Sequence, residues 1–126
     1  MQLPDPKSLS TARTARTYPV TASDLARATE SAIQRLPRWT LARAGEEQVQ
    51  AVRRTRLLGF TDDITARFMQ SRTGANINTR ARFVSASRVG VWDLGQNRRN
   101  LDELLLAIDR ELTAKTKQTS FDGGAG

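Results

Sequence analysis

The sequence contains no cysteine and no histidine. These absences exclude a disulfide, a thiol nucleophile, an imidazole general base and any zinc site built on Cys or His ligands. A Ser-His-Asp triad is excluded for the same reason. Carboxylates, arginines, hydroxyls and one tyrosine remain for chemistry, and nothing among them distinguishes an acid from a base. We therefore predict no catalytic residue, no metal site and no cofactor, and favour a function that is not enzymatic.

Long apolar runs are also missing. No stretch approaches the roughly 18 apolar residues that a membrane-spanning helix needs. The first residues, Met-Gln-Leu-Pro-Asp-Pro-Lys-Ser, lack the basic and then apolar segment of a signal peptide. We expect a soluble protein that is cytoplasmic by default, although a removed leader would leave the same sequence and keeps the compartment open.

The chain is short and basic. Its 126 residues allow one domain with a modest core. Twenty Lys and Arg stand against 13 Asp and Glu, which gives a net charge of +7, and 17 of the 20 basic residues are arginine. This charge favours an anionic partner: nucleic acid, a membrane surface or an acidic protein. Alternatively, the excess of arginine reflects only a GC-rich genome and carries no function. The sequence does not indicate the oligomeric state.

The composition changes twice along the chain. Residues 1–20 contain Pro4, Pro6 and Pro19 with Ser, Thr and Arg between them, which predicts an extended arm that lies along the domain or stays mobile. Residues 21–115 have regular apolar periodicity and form the single domain. Residues 116–126 end in Gly-Gly-Ala-Gly and are expected to be a flexible tail.

Two helices are predicted at the ends of the domain. The first runs from a cap at Thr21 or Ser23 to Pro37. Its apolar stripe consists of Leu25, Ala28, Ala32, Ile33 and Leu36. The second has Asn97 as its expected N-cap and ends near Lys115. Its stripe consists of Leu101, Leu104, Leu105, Ile108 and Leu112.

Between the helices the apolar period falls to two, which is typical of strands with one buried face. Ile64 and Phe68 alternate with polar residues, and the segment ending at Gly74 reads as a hairpin turn before a strand that contains Ala81 and Phe83. The predicted fold class is α+β: an antiparallel sheet of about four strands with two helices packed on one face.

The same alternation predicts a cationic face. If Ile64, Phe68 and Phe83 face the helices, the arginines between them face the other way. This possible anion-binding face consists of Arg54, Arg56, Arg67, Arg80 and Arg82. No aromatic residue lies among them, which argues against reading single-stranded nucleic acid by base stacking. A solvated face, or one covered by the arm or a second subunit, is the other interpretation.

A polar segment, Ser-Ala-Ser-Arg-Val-Gly-Val-Trp-Asp-Leu-Gly-Gln-Asn-Arg-Arg at 85–99, is not explained by periodicity, and Asp-Asp at 62–63 precedes a strand. Together these motifs resemble the domain of unknown function 1499 family over residues 38–112. Val84 stands where the family usually has an arginine just before Ser-Ala-Ser-Arg, and Arg82 lies two residues earlier on the same strand face. Asn100 stands where a further arginine is common. The resemblance implies signature positions at Asp62, Asp63, Ser85, Ser87, Arg88, Gly90, Asp93, Gly95, Asn97 and Arg98, and implies no activity.

Three interpretations of these positions stay open. The aspartates and arginines form structural ion pairs while the glycines permit a turn. Alternatively, Arg88, Arg98 and the helix N-terminus line an anion-binding cleft. A divalent cation on Asp62, Asp63 and Asp93 is disfavoured, because adjacent residues in a strand point to opposite faces.

The sequence therefore predicts a non-catalytic binding or accessory module with a polar Asp/Arg/Asn site. The alternative is a binder of nucleic acid or another anionic surface through the arginine-rich sheet face.

Overall fold

The computed structural model of this chain describes residues 11–54, 60–88 and 95–124, with side chains up to residue 116. The elements in chain order are β1 (Thr11–Tyr18), α1 (Ala22–Arg35), β2 (Trp39–Arg43), β3 (Gln48–Arg54), β4 (Thr61–Thr73), β5 (Asn76–Ser87) and α2 (Gln96–Gly124). The predicted α+β fold class is confirmed.

The strands form one antiparallel sheet in the order β1-β5-β4-β3-β2. From β2 to β5 each strand pairs with the next one in the chain, so these four strands form a meander. The first strand lies at the edge beside β5, and β2 lies at the opposite edge. Because α1 connects these two edges in the chain, it crosses one face of the sheet and covers it.

Residues 1–20 are predicted to be an extended arm, and residues 1–10 of that arm lie outside the described residues. Thr11–Tyr18 instead forms the edge strand β1, with Thr11 paired to Ala86 and Tyr18 paired to Thr79. Tyr18 is 4% exposed and belongs to the core. This strand is the fifth strand of the sheet, where about four were predicted.

The first helix begins and ends as its flanking residues predict. Thr21 is the N-cap, and its Oγ1 accepts a hydrogen bond from the backbone N–H of Asp24 at 3.1 Å. The helix ends at Arg35 because Pro37 cannot continue it. Leu25 and Ile33 lie on its buried face.

The second helix packs against the first and against the sheet. Leu101, Leu104 and Ile108 are fully buried, and burial of each such side chain contributes about 1.5–3 kcal/mol. An ion pair between Lys115 Nζ and Asp24 Oδ1 at 2.7 Å joins the two helices, and this hydrogen bond lowers the pKa of Asp24. The helix does not end near Lys115 but continues to Gly124, because no proline or glycine interrupts it before residue 123. The flexibility of residues 116–126 stays a prediction.

The sheet has two distinct faces. We call the face that packs against the helices the inner face, and it carries buried residues such as Ile64 and Phe83. We call the opposite face the outer face, and residues such as Arg67 and Arg82 lie there because side chains alternate along a strand. Both described helices pack on the inner face, as predicted. Within the described residues no helix is apolar and long enough to cross a membrane.

Candidate functional site

Part of the motif segment forms a buried ring of hydrogen bonds at one end of the inner face. The start of β4, the end of β5 and the first turns of α2 meet here. The ring consists of Asp62, Ser85, Ser87, Asn97 and Asn100. Four of these residues are at most 2% exposed, and Ser87 is half-buried.

The ring closes through both oxygens of Asp62. Oδ1 accepts from Ser87 Oγ at 2.9 Å, and Oδ2 accepts from Asn100 Nδ2 at 2.8 Å. Asn97 Nδ2 donates to Ser87 Oγ at 3.0 Å, while Asn97 Oδ1 accepts from Ser85 Oγ at 2.7 Å. Asn100 Nδ2 also donates to Ser85 Oγ at 3.1 Å. Each of the five side chains therefore bonds to its two neighbours, as buried polar groups require.

Asn100 is the member of the ring that the sequence did not identify as a site residue. It is fully buried, although the family resemblance treats its position as a departure. The helical spacing in the sequence could have identified it. Asn97 lies four residues before Leu101, and Asn100 lies four residues before Leu104, so both asparagines continue the buried face of the helix. Asn97 itself was expected to be the N-cap. The structure corrects this expectation, because α2 begins at Gln96 and Asn97 turns its amide into the ring.

Asp63 lies on the outer face, away from the ring. Its two oxygens accept from Arg88 Nε at 2.9 Å and from Arg88 NH2 at 3.0 Å, and this bidentate hydrogen bonding raises the pKa of Arg88. Both side chains are about half exposed. Because Asp62 and Asp63 point to opposite faces, they cannot share a cation. Among the described residues no group of three or more acidic side chains could hold a metal ion.

The remaining motif positions are dispersed. Gly95 precedes the helix with φ +81°, a conformation that favours glycine, and its carbonyl accepts from the N–H of Arg99. Arg98 is exposed on the first turn of α2. Gly90 and Asp93 lie outside the described residues.

A second polar group, not predicted from sequence, lies beside the ring. Trp39 Nε1 donates to Glu103 Oε1 at 2.8 Å, and Arg53 NH2 lies 3.8 Å from Glu103 Oε2. Arg53 is 9% exposed, and its Nε has no hydrogen-bond partner among the described residues. The pairing register places Arg53 opposite both Trp39 and Asp62 on the inner face.

The arginines of the outer face form the second candidate site, which we call the arginine face. Its six members are Arg13, Arg43, Arg54, Arg67, Arg80 and Arg82. All six are exposed, and none takes part in an ion pair between described residues. Four were predicted from alternation, while Arg56 lies outside the described part of the chain.

Arg13 and Arg43 were missed for different reasons. Arg13 is on β1, which was expected to be an arm rather than a strand. Arg43 follows a register shift between Leu41 and Arg43 that places it opposite Gln50. A bulge of this kind breaks strict alternation, so counting by two gives the wrong face.

The centre of the arginine face brings like charges together. Arg82 on β5 is the direct cross-strand partner of Arg67 on β4, and Arg80 follows two residues away on the same strand face. The sequence has no acidic residue from Ile64 to Trp92, so this hairpin supplies no counter-charge. Like charges directly opposite each other in a sheet are destabilising.

The comparisons with known proteins agree with the motif resemblance. The profile of the family described as "Protein of unknown function (DUF1499)" matches residues 2–108, which confirms the predicted family. No curated protein matches the sequence significantly.

Solved structures resemble the chain only distantly. CalU16 from Micromonospora echinospora is 12% identical with a TM-score of 0.44, over 91% of this chain and 86% of that one. CV1439 from Chromobacterium violaceum is 11% identical with a TM-score of 0.46, over 83% and 95%. TTHA0849 from Thermus thermophilus is 12% identical with a TM-score of 0.43, over 83% and 98%. Similarity at this level carries no argument about function.

Proposed function

This chain belongs to the DUF1499 family, whose function is unknown, and we propose that it is a non-catalytic binding module that holds a phosphate-rich polyanion on its arginine face. The observation that carries the proposal is the direct cross-strand pairing of Arg67 with Arg82. Two guanidinium groups at adjacent positions repel each other, and phosphate oxygens placed between them would remove that repulsion through bidentate hydrogen bonds.

The distribution of ion pairs supports this choice of surface. On the helix side of the protein, two arginines have acidic partners: Arg16 pairs with Asp109 at 3.0 Å, and Arg35 pairs with Glu111 at 3.3 Å. On the outer face, the ion pair between described residues is Arg88 with Asp63. The six arginines of the arginine face therefore carry most of the positive charge on the described strands that has no ion-pair partner among the described residues.

The buried ring has a structural role in this proposal. Its carboxylate is 2% exposed and accepts hydrogen bonds at both oxygens from Ser87 and Asn100. A ligand would have to break these bonds and leave buried polar groups unpaired, which costs about 1–3 kcal/mol for each group. We infer that the ring fixes the first turn of α2 against the ends of β4 and β5.

The hydrogen bonds of Ser85 support a non-catalytic role for this hydroxyl. Ser85 Oγ donates to an amide oxygen and accepts from an amide nitrogen, so neither partner is a base that could take its proton.

Binding of fluorescently labelled inorganic polyphosphate tests the proposal. We expect wild-type protein to bind at low salt and to lose affinity steeply as salt rises, because bound counterions are released. The variant Arg67→Glu/Arg80→Glu should lose binding. The control Arg27→Glu/Arg110→Glu changes two exposed arginines on the helices and should keep it. Each pair lowers the net charge by 4, from +7 to +3, so a difference between them reports position rather than total charge. Absence of binding at low salt, or equal loss in both variants, would refute the proposal.

A further inference from the structure

The hairpin of β4 and β5 projects beyond its neighbours. Pairing of β3 with β4 ends at Arg67, and pairing of β1 with β5 ends at Thr79. The two strands continue to pair with each other up to Thr73 and Asn76. Residues 69–76 are all exposed. The segment from Met69 to Asn78, which we call the ribbon, is therefore a free two-stranded projection.

The turn and the base of the ribbon are well defined. Gly74 has φ +61° at the first central position of the two-residue turn, where glycine is favoured. At the base, Gln70 Oε1 accepts from the backbone N–H of Ala22 at 2.8 Å, and Thr79 Oγ1 donates to the carbonyl of Val20 at 2.7 Å. These bonds tie the ribbon to the start of α1 and hold its direction relative to the sheet.

The outer side of the ribbon carries hydrogen-bonding groups without acidic charge. The side chains that share the outer face are Met69, Ser71, Thr73, Asn76 and Asn78. They continue directly into Arg67, Arg80 and Arg82 at the base of the ribbon. In proteins that bind DNA, polar side chains contact the edges of the bases and arginines contact the backbone phosphates. The ribbon has the first kind of group at its tip and the second at its base.

The dimensions of the ribbon fit one groove of duplex DNA. Its two strands lie about 4.8 Å apart, and five residues per strand extend about 17 Å. The major groove of B-form DNA is about 12 Å wide and 8.5 Å deep, and it admits a two-stranded ribbon. The ribbon is therefore long enough to reach the groove floor while the arginines at its base remain at the height of the phosphates.

We infer that the polyanion of the proposed function is double-stranded DNA, with the ribbon in the major groove and Arg67, Arg80 and Arg82 on the flanking phosphates. This inference rests on the proposed function. The outer face of the described strands has no aromatic residue for stacking unpaired bases. Duplex RNA has a major groove too narrow for side chains to enter. A lipid surface would need more apolar area than the ribbon offers, since Met69, at 74% exposed, is its one large apolar residue on that face.

Fluorescence anisotropy compares the possible partners. The probes are a labelled DNA duplex of about 20 base pairs, close to two helical turns, one of its strands alone, the RNA duplex of the same sequence, and phosphatidylcholine vesicles with phosphatidylserine. We expect the DNA duplex to bind about tenfold more tightly than the single strand, because it presents more phosphates per unit length. A fourfold rise in salt should weaken duplex binding about 100-fold if about four phosphates are neutralised.

A substitution at the tip tests the contribution of the ribbon itself. Asn76→Asp places a carboxylate on the outer side of the ribbon and should weaken duplex binding at least about tenfold, because it would face phosphates and base edges. Gln34→Glu, the matched change from amide to carboxylate on an exposed position of α1, should have little effect. Thermal unfolding of both variants checks that they are folded.

Cross-linking identifies the groove, because the chain has no native cysteine. Thr73→Cys should form a disulfide with DNA that carries a thiol tether on cytosine N4, in the major groove, and not with a tether on guanine N2, in the minor groove. Thr113→Cys on α2 should react with neither.

The possible failures are distinguishable. If no probe binds, including polyphosphate, both the proposed function and this inference are refuted. If polyphosphate binds but single strands, RNA or vesicles bind as well as duplex DNA, the proposed function stands and this inference is wrong. Preferential cross-linking to the minor-groove tether also overturns it.

Discussion

Asp62 and Asp63 are adjacent in the sequence and lie on opposite faces of the sheet. Asp62 is buried in a ring of Ser and Asn side chains, whereas Asp63 forms an exposed bidentate ion pair with Arg88. The cause is the alternation of side chains along β4. Two carboxylates that look equivalent in the motif therefore have different partners and different energetic roles.

The first prediction compares these two carboxylates. Asp62→Ala leaves the donors of half-buried Ser87 and buried Asn100 without an acceptor and should lower the free energy of unfolding by about 3 kcal/mol. Asp63→Ala removes an exposed pair and should lower it by less than about 1 kcal/mol. Urea denaturation measures both values. Equal unfolding midpoints for the two variants would contradict a structural role for the ring.

The second prediction concerns backbone conformation at the start of α2. Gly95 has φ +81°, and a Cβ built there would lie 3.4 Å from the flexible end of Arg99. Because the left-handed conformation rather than crowding opposes a side chain, Gly95→Ala should destabilise the protein by about 1–2 kcal/mol. Gly45→Ala is the control, since Gly45 lacks a positive φ and its Cβ would make an ordinary contact. The prediction fails if thermal denaturation shows the same change for both variants.

The third prediction is a loss of stability at high pH that depends on Tyr18. Burial raises the pKa of this hydroxyl from 10.0 to about 12, and its OH has no hydrogen-bond partner among the described residues. The unfolded chain therefore ionises first. The stability that comes from burying the neutral phenol is complete below pH 10.0 and is lost as the pH rises toward about 12.

Tyr18 is the sole tyrosine, so the ultraviolet absorbance of tyrosinate reports its titration directly. Tyr18→Phe is the control, and it should flatten the fall in stability between pH 10.0 and about 12. A midpoint near 10.0 in the folded protein would show that the hydroxyl is not buried as described.

Much of the fold could be predicted from local patterns. The apolar stripe of α2, the cap at Thr21 and the stop at Pro37 follow from short-range geometry. The period of two in β4 and β5 places Arg67 and Arg82 on the face opposite Ile64 and Phe83, as predicted.

Features that depend on distant partners could not be predicted in this way. β1 is a strand because β5 offers it a pairing edge more than 60 residues later in the chain. The bulge that turns Arg43 outward depends on its pairing with β3. Asn100 is polar on an apolar stripe, and only the closeness of Asp62 and Ser85 explains why it is buried.

The sequence by itself determined the small α+β fold, the family, the excess of arginine and the lack of histidine and cysteine chemistry. The family follows from the resemblance of its motifs, and the other properties follow because composition and periodicity are local properties of the chain. Only the tertiary structure decided which polar residues are buried partners and which charges stay unmatched. Hydrogen bonds and ion pairs need donors and acceptors within about 3 Å, and the pairing of strands brings such atoms together from positions far apart in the chain.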